Sequence, residues 1–241
     1  MPPGEAGSMT ADDNDLKDAR QLLGNCILFR GLKAEERDAI ASRARIRSFK
    51  PGETLFTIGA PGENMMAVLK GAVRISVPSP DGKEFLLAIL PQGEVFGELA
   101  VLDGKPRSAD AVADGTCTLA LLDRRDVLSF FERNPGAWPK LLEVLSDRLR
   151  RTDELLAEIA MNQLPVRLAK AMLRATGDAP TVKSKTNITL SQRELANMVG
   201  GTRESVNKCI RVWQHNGIVH VTGGVIVIKK RPALEAIAEQ V

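Results

Sequence analysis

Between Ile46 and Leu122 the chain alternates short apolar runs with turn residues, and this rhythm restricts the possible folds more than any other feature. The apolar runs are 54–58, 65–69, 73–77, 85–90 and 119–122. The turns between them come from Pro51-Gly52, Pro61-Gly62, Asp81-Gly82 and Gln92-Gly93. Many short strands at nearly even spacing indicate a small antiparallel barrel or sandwich.

One segment of this region carries groups that suit a phosphate. If a helical turn begins here, the backbone N–H groups of Gly97, Leu99 and Ala100 converge at its start, where a singly charged phosphate is held well. Arg107 adds a planar fork of donors, and the Ser108 hydroxyl adds one more. The pattern therefore predicts an anion site within one short loop.

Glu98 is an acceptor placed among these donors. It would repel a phosphate unless it faces a donor such as a ribose 2′-OH, so its presence favours a cyclic phosphodiester attached to a ribose over inorganic phosphate. The alternative is a turn in which Glu98 and Arg107 only form a surface ion pair, which would contribute little to stability.

Length and composition limit the class of protein. The 241 residues, 44% of them hydrophobic, suffice for two domains with proper cores. No apolar run approaches the roughly 18–20 residues that span a bilayer, and the polar start lacks the apolar region of a signal peptide, so we expect a cytoplasmic protein that does not enter a membrane. Cys26, Cys117 and Cys209 lie far apart without a C-x-x-C pair, so neither a disulfide framework nor a metal site is expected.

Basic residues concentrate in the last third of the chain. From Gln163 onward there are 12 Lys and Arg against 5 Asp and Glu, a net charge of +7, whereas residues 1–162 carry a net charge of −4. We therefore expect a polyanion such as DNA to bind the C-terminal part, the alternative being a solvated basic face without a partner.

A long helix is predicted from Trp138 to Ile159, where proline occurs only near the start and glycine does not occur. Its apolar residues recur at alternating spacings of 3 and 4, which is a heptad seam that favours helix pairing. Since no second helix of comparable length has such a seam, we predict a parallel homodimer. Its predicted interface residues are Leu142, Leu145, Leu149, Thr152, Leu156 and Ile159.

Thr152 is the one polar member of this seam, and its hydroxyl needs a hydrogen-bond partner. One interpretation is a contact with a ligand. The other is that the hydroxyl bonds back to the carbonyl one turn earlier or sets the register of the pair.

The C-terminal region is typical of a helix-turn-helix followed by a hairpin wing. After a hinge at Asn162–Pro165, a first helix ends at Gly177, and a loop and a short strand lead to the next helix. Ser191 begins a capping box of the S-x-x-E form, which opens a helix through Val199. Gly200 suits a tight turn, Thr202 suits the N-cap of a second helix to about Asn216, and runs 218–221 and 225–228 suit the wing. The alternative is a helical hairpin with no nucleic-acid role.

A recognition helix presents its N-terminal residues to base edges in the major groove. Arg203 could hold guanine bidentately, Glu204 could accept from cytosine N4, and Lys208 could contact guanine or phosphate. The predicted DNA-binding residues are Ser191, Gln192, Thr202, Arg203, Glu204, Asn207, Lys208 and Arg211.

Two segments carry a family resemblance. Gly97–Ser108 resembles, without a gap, the phosphate-binding cassette of cyclic-nucleotide-binding domains, in which the matching glutamate binds ribose and the matching arginine binds phosphate. Thr202–Val206 resembles the recognition helix of the cyclic-AMP receptor/fumarate-nitrate regulator superfamily. The resemblance covers about Leu23 to Lys230 and implies an α+β fold. It comprises an N-terminal antiparallel β-roll of the jelly-roll type, a long dimerisation helix and a C-terminal winged helix-turn-helix.

The chain departs from the family pattern at two positions. The resemblance implies a Thr-Ser pair on the dimer helix that contacts adenine in its own and the partner's site, but this chain has Thr152-Asp153. An ionised Asp153 only accepts hydrogen bonds, so it could bind the N6 protons of adenine or the N1 and N2 protons of guanine. We therefore expect cyclic AMP as the ligand, with cyclic GMP as the alternative. Lys208 stands where the family has a second arginine, and it cannot fork onto a base.

The predicted organisation is a tail at 1–20, a cyclic-nucleotide-binding domain at 21–137, a dimerisation helix at 138–162 and a DNA-binding domain at 163–241. The expected protein is a homodimeric transcription regulator whose ligand repositions both recognition helices on an operator with two half-sites. RNA polymerase is a further candidate partner.

Three other functions remain as alternatives: a regulator of this fold with another ligand or none, a cyclic-nucleotide phosphodiesterase, and a protein-binding regulatory subunit. An enzyme is disfavoured because the two histidines of the chain, His215 and His220, lie in or beside the DNA-binding helix, away from the phosphate loop.

Overall fold

The computed structural model describes residues 22–30, 32–79, 84–176, 187–188, 190–223 and 225–240. The predicted tail at 1–20 and almost all of the loop predicted after Gly177 lie outside these residues. The chain divides into two compact units, one formed by 1–76 with 88–147 and the other by 77–87 with 148–241.

The first unit is built mainly of strands. Its elements are α1 (Ala34–Ala41), β1 (Arg45–Phe49), β2 (Thr54–Phe56), β3 (Asn64–Pro78), β4 (Glu84–Pro91), β5 (Val95–Phe96), α2 (Glu98–Asp103), β6 (Asp110–Asp123) and α3 (Arg124–Arg133). A 3₁₀ turn, Pro135–Ala137, leads into the long helix α4 (Trp138–Met161).

The strands form an antiparallel sheet in the order β1-β6-β3-β4, with β2 paired to β6 and β5 paired to β3. This confirms the antiparallel strands that the turn rhythm indicated and the β-roll that the family resemblance implied. Helix α1 ends at Ala41, and four residues later Arg45 is already paired with Leu121 in the sheet. Backbone pairing with a distant strand decides that boundary.

The two apolar runs 65–69 and 73–77 belong to one strand, β3, instead of two. The register against β6 shifts between Val68 and Ala72, around Gly71. Gly71 has a φ of 80°, and a Cβ there would lie 2.4 Å from the Thr116 carbonyl oxygen. Glycine therefore lets the strand pass through an irregularity without ending.

Two cores stabilise the first unit. One lies inside the sheet and joins the apolar residues of β3 to those of β5 and β6, among them Val68, Val73, Phe96, Ala111 and Leu119. The other joins the opposite side of β3 to the helices, including Met65, Leu69, Val127, Phe131 and Leu141. Helix α4 thus begins as part of this second core, through its buried residues Leu141 and Val144.

The second unit contains α5 (Leu164–Thr176), β7 (Asn187–Ile188), α6 (Gln192–Val199), α7 (Arg203–His215), β8 (Val219–Thr222), β9 (Val225–Ile228) and α8 (Arg231–Ala238). The strands form a small antiparallel sheet in the order β7-β9-β8. Its core collects the apolar faces of the helices and the wing, including Leu168, Met172, Leu195, Ile210, Trp213 and Ile226. The predicted helix-turn-helix with a hairpin wing is therefore present. Among the described helices, none combines the length and the apolar character needed to cross a membrane.

Candidate ligand cassette, helix seam and DNA-binding helix

The loop that carries Glu98 and Arg107 begins with a helical turn, as predicted. Helix α2 starts directly after Gly97, whose φ is 76°. A Cβ on Gly97 would lie 2.5 Å from Nη1 of Arg107, so this position needs glycine for its backbone conformation and for space. Gly104 ends the helix with a φ of 72°.

Arg107 is the most strongly anchored side chain of the loop, with only 4% of its surface exposed. Its Nη1 donates to the carbonyl oxygen of Gly97 at 2.9 Å. Its Nη2 donates to the backbone oxygen and the Oδ1 of Asn64, at 2.8 and 2.9 Å. Its Nε is buried and has no hydrogen-bond partner among the described residues. The guanidinium is thus fixed in its plane while part of its donor set is left for a further acceptor.

The segment between β2 and β3 holds Arg107 from the other side. The Arg107 amide donates to the Ala60 carbonyl at 2.8 Å, and the Gly59 amide donates to the Arg107 carbonyl at 2.8 Å. The Phe56 ring lies under the guanidinium, 4.2 Å from Cζ to the ring centroid. A Cβ on Gly62 would lie 2.1 Å from Cβ of Ala100. The loop therefore folds onto a second segment distant in sequence.

Glu98 and Arg107 are both buried, with 2% and 4% of their surfaces exposed. Burial lowers the pKa of Arg107, and the nearby negative charge of Glu98 opposes that shift. An arginine guanidinium is not deprotonated in proteins, so Arg107 keeps its charge. The interpretation of these two residues as a surface ion pair is wrong, because neither side chain is at the surface.

The remaining cassette residues differ in exposure. Ala100 is buried, 3% exposed, against the Gly62 segment, whereas Leu99 is 47% exposed. Ser108 is also exposed. The first turn of α2 therefore has one side packed on the protein and one side open.

Thr152 and Asp153 lie on α4 in the second unit, and both are exposed. The Thr152 hydroxyl donates to the Arg148 carbonyl at 2.9 Å, which confirms the back-bonding interpretation. Because its single proton is used there, the hydroxyl oxygen can only accept a further hydrogen bond. The two adjacent residues therefore both offer acceptors.

The seam of α4 is largely uncovered in the single chain. Leu142 is 59% exposed, Leu149 62% and Leu156 64%, and they recur every seventh residue along one line of the helix. Ile159 is 37% exposed. Leu145 differs, because it is half-buried and packs against the core of the first unit.

The helix-turn-helix is held by the predicted caps. The Ser191 hydroxyl accepts from the Glu194 amide at 3.2 Å, while the Glu194 carboxylate accepts from the Ser191 amide at 2.6 Å. The Thr202 hydroxyl accepts from the Ser205 amide at 3.1 Å and donates to the Ser205 hydroxyl at 3.0 Å. Gly200 turns the chain between the helices with a φ of 60°.

Helix α7 separates an apolar face from a polar one. Val206, Ile210 and Trp213 are buried against the rest of the unit. Of the predicted DNA contacts on α7, Arg203, Glu204, Lys208 and Arg211 are exposed and Asn207 is half-buried, and Gln192 at the start of α6 is also half-buried. The Ser191 and Thr202 hydroxyls are already used as helix caps. The charged side chains exposed on α7 are those of Arg203, Glu204, Lys208 and Arg211.

Sequence reasoning missed three residues of the cassette: Phe56, Gly62 and Asn64. Pro61-Gly62 is identifiable in the sequence as a turn, but nothing local shows that the turn lies against Ala100. Asn64 and Arg107 are 43 positions apart in the sequence, so no local sequence pattern indicates the hydrogen bonds between them.

Comparison with known proteins agrees with both units. A family model described as a cyclic nucleotide-binding domain matches residues 46–134, and one described as a Crp-like helix-turn-helix domain matches residues 166–237. A CRP-like cAMP-activated global transcriptional regulator of Mycobacterium tuberculosis is 31% identical over 211 residues, covering 86% of this chain and 94% of the relative.

Two further relatives extend the comparison. A cyclic AMP receptor protein of Thermus thermophilus is 32% identical over 213 residues, covering 88% of this chain and 96% of the relative. The c-di-GMP responsive global regulator CLP of Xanthomonas campestris shares the fold, with a TM-score of 0.73 at 21% identity, covering 81% of this chain and 99% of that structure. The curated relatives are transcription regulators, and this chain is likewise a DNA-binding regulator and not an enzyme. The chain belongs to the family of CRP-like transcription regulators that carry a cyclic-nucleotide-binding domain.

Proposed function

We propose that this protein is a homodimeric transcription regulator that binds cyclic AMP, with cyclic GMP as the alternative ligand, and thereby changes its affinity for DNA. The observation that carries the proposal is the buried pair of a charged guanidinium and a carboxylate in one loop, Arg107 and Glu98. Burying such groups is costly unless they are hydrogen-bonded or serve a ligand.

The two side chains suit different parts of a cyclic nucleotide. Arg107 would bind the exocyclic oxygens of the phosphate, assisted by the amides at the start of α2 and by the exposed Ser108 hydroxyl. Glu98 would accept from the ribose 2′-OH. A free phosphate would not use this carboxylate, so the pair favours the nucleotide.

Base selection is assigned to Thr152 and Asp153. Because the Thr152 hydroxyl donates its proton to the Arg148 carbonyl, Thr152 offers a ligand only an acceptor. An ionised Asp153 also offers only acceptors. Adenine would offer its N6 protons to them, and guanine its N1 and N2 protons. The named activity of the Mycobacterium tuberculosis and Thermus thermophilus relatives favours cyclic AMP.

Dimerisation is assigned to α4. The exposed row of Leu142, Leu149 and Leu156 would be covered by the same row of a second copy, with Leu145, Thr152 and Ile159 on the other side of the seam. Pairing of these helices would bring two DNA-binding units into one molecule, as an operator with two half-sites requires.

DNA recognition is assigned to α7. The residues that would face the major groove are Arg203, Glu204, Asn207, Lys208 and Arg211. Three residues would support this helix and contact the DNA phosphate backbone: Ser191, Gln192 and Thr202. The ligand can act on DNA binding only through a preference for the conformation that binds DNA. The junction of α4 and α5 near Asn162–Pro165 is the expected hinge.

Isothermal titration of the full chain with cyclic AMP, cyclic GMP and cyclic di-GMP tests the proposal. We expect cyclic AMP to bind, and Arg107→Ala to abolish that binding. Arg47→Ala is the matched control, because Arg47 also lies over a phenylalanine ring but pairs with Glu53, which is not a cassette residue, and it should bind like the wild type. Asp153→Ser should change the ratio of cyclic AMP to cyclic GMP affinity.

The other outcomes have definite meanings. A ratio unchanged in Asp153→Ser would remove Asp153 from base selection. Binding of cyclic di-GMP alone would replace the proposed ligand. Binding of none of the three would leave a DNA-binding regulator of this family with another signal.

A further inference from the structure

The Phe56 ring is placed to hold the phosphate-binding arginine in its working orientation. It lies at the end of β2, half-buried, and packs beside Phe96 with 6.0 Å between ring centroids. The Arg107 Cζ is 4.2 Å from its centroid, which places the guanidinium over the ring face. A ring face is electronegative, so it attracts a cation held against it.

The in-plane and out-of-plane constraints on this guanidinium come from different groups. Gly97 and Asn64 accept hydrogen bonds within the plane at 2.8–2.9 Å. No in-plane acceptor can stop the group from tilting about that edge. The ring below it can, because tilting would move the cation away from its position over the ring centroid.

We propose that Phe56 is a positioning residue for the cyclic nucleotide, acting through Arg107 by a cation–π contact that fixes the tilt of the guanidinium and compensates its burial. The inference rests on the proposed function, since it takes the Arg107 ligand to be a cyclic phosphodiester. In this proposal Phe56 acts on the phosphate only through Arg107.

The chain contains a matched contact that serves as a control. Arg47 lies over the Phe49 ring at 4.6 Å in strand β1 of the same sheet. Phe49 is buried in the same apolar core that Phe56 packs against, so fluorination there changes that core while leaving the ring under Arg107 unchanged.

The experiment replaces Phe56 by mono-, di- and trifluorinated phenylalanine, which keep the ring shape while withdrawing charge from its face. Titration of each full-length variant with cyclic AMP should show affinity falling stepwise with fluorination, to a total of roughly 3- to 30-fold, the range expected for one cation–π contact. The same series at position 49 should leave the affinity unchanged. Phe56→Tyr, which keeps an electron-rich ring, should bind like the wild type, and Phe56→Leu should lose a similar factor.

A double-mutant cycle separates positioning from packing. In the Arg107→Ala background, the fluorinated rings should have no further effect on the melting temperature. Equal affinity across the fluorinated series at position 56, in a wild type that binds cyclic AMP, would overturn this inference and leave the proposed function intact. A wild type that binds no cyclic nucleotide would overturn both.

Discussion

At the scale of single residues, the cassette depends on close approach as much as on charge. Arg107 meets acceptors from Gly97 and Asn64 and a ring from Phe56, all within a few ångströms. Gly62 permits this, because any side chain there would collide with Ala100 in the first turn of α2. The residue with no functional group is therefore as necessary to the geometry as the charged ones.

Gly62→Ala should weaken cyclic AMP binding. Its Cβ would lie 2.1 Å from Cβ of Ala100, so the turn that presents the backbone amides must move. Overpacking of this kind costs about 1–3 kcal/mol, and we expect a loss of roughly tenfold or more in affinity by isothermal titration. Gly136→Ala is the control, since nothing lies within 4 Å of its Cβ. If Gly62→Ala bound cyclic AMP with wild-type affinity, the contact between Gly62 and the first turn of α2 would not be needed for ligand binding.

At the scale of elements, the elbow between α4 and α5 is held by arginines. The Glu158 carboxylate accepts two hydrogen bonds from Arg174, at 2.5 and 3.2 Å. Arg167 donates to the Ile159 carbonyl at 3.1 Å, which satisfies an acceptor near the end of α4. These contacts join α4 to α5 across the proposed hinge, so they stabilise the observed angle between the two helices.

Glu158→Gln should lower stability against urea by about 0.5–1 kcal/mol, because the pair is bidentate but Arg174 is half-exposed. The effect should shrink in high salt. Combining it with Arg174→Gln should cost less than the sum of the two single changes. Glu143→Gln, which removes a pair within one helix turn, is the control and should change stability less. Strict additivity of Glu158→Gln and Arg174→Gln would contradict a coupled elbow.

At the scale of the whole molecule, the question is what covers the apolar row on α4. Three leucines with about 60% of their surface exposed recur at heptad spacing on a helix of 24 residues. Contiguous apolar rows of this kind mark interaction surfaces. A second copy presents the same row, and pairing would bury both.

Leu149→Glu should convert the proposed dimer into a monomer in sedimentation experiments, because it places a charge at the centre of the row that pairing would bury. DNA binding to a two-half-site operator should fall with it, since each monomer would hold one half-site. Ala157→Glu is the control, exposed on the same helix but off the seam. A monomeric wild type, or a dimeric Leu149→Glu, would contradict the assigned interface.

Local patterns predicted much of this protein. The capping box at Ser191, the turn at Gly200 and the N-cap at Thr202 depend on residues three or four apart, and all three are in the structure. The heptad row likewise follows from spacing on one helix. Short-range hydrogen bonds and helical periodicity are properties of neighbouring residues, so a single sequence contains them.

Contacts between segments that are far apart in the chain could not be predicted from local patterns. Two apolar runs form one strand, β3, because both pair with β6. Helix α1 ends where it does because the chain then pairs with β6, beginning with Arg45 opposite Leu121. The surroundings of Arg107 come from Phe56, Gly62 and Asn64, which approach it only through the sheet.

The sequence by itself determined the order of the three functional parts, the charged residues of the cassette and the limits of the helix-turn-helix. Only the tertiary structure decided that Glu98 and Arg107 are buried and that Leu145 packs partly against the core of the first unit. The physical reason is that burial and orientation depend on segments far apart in the chain, whereas residue type and spacing do not.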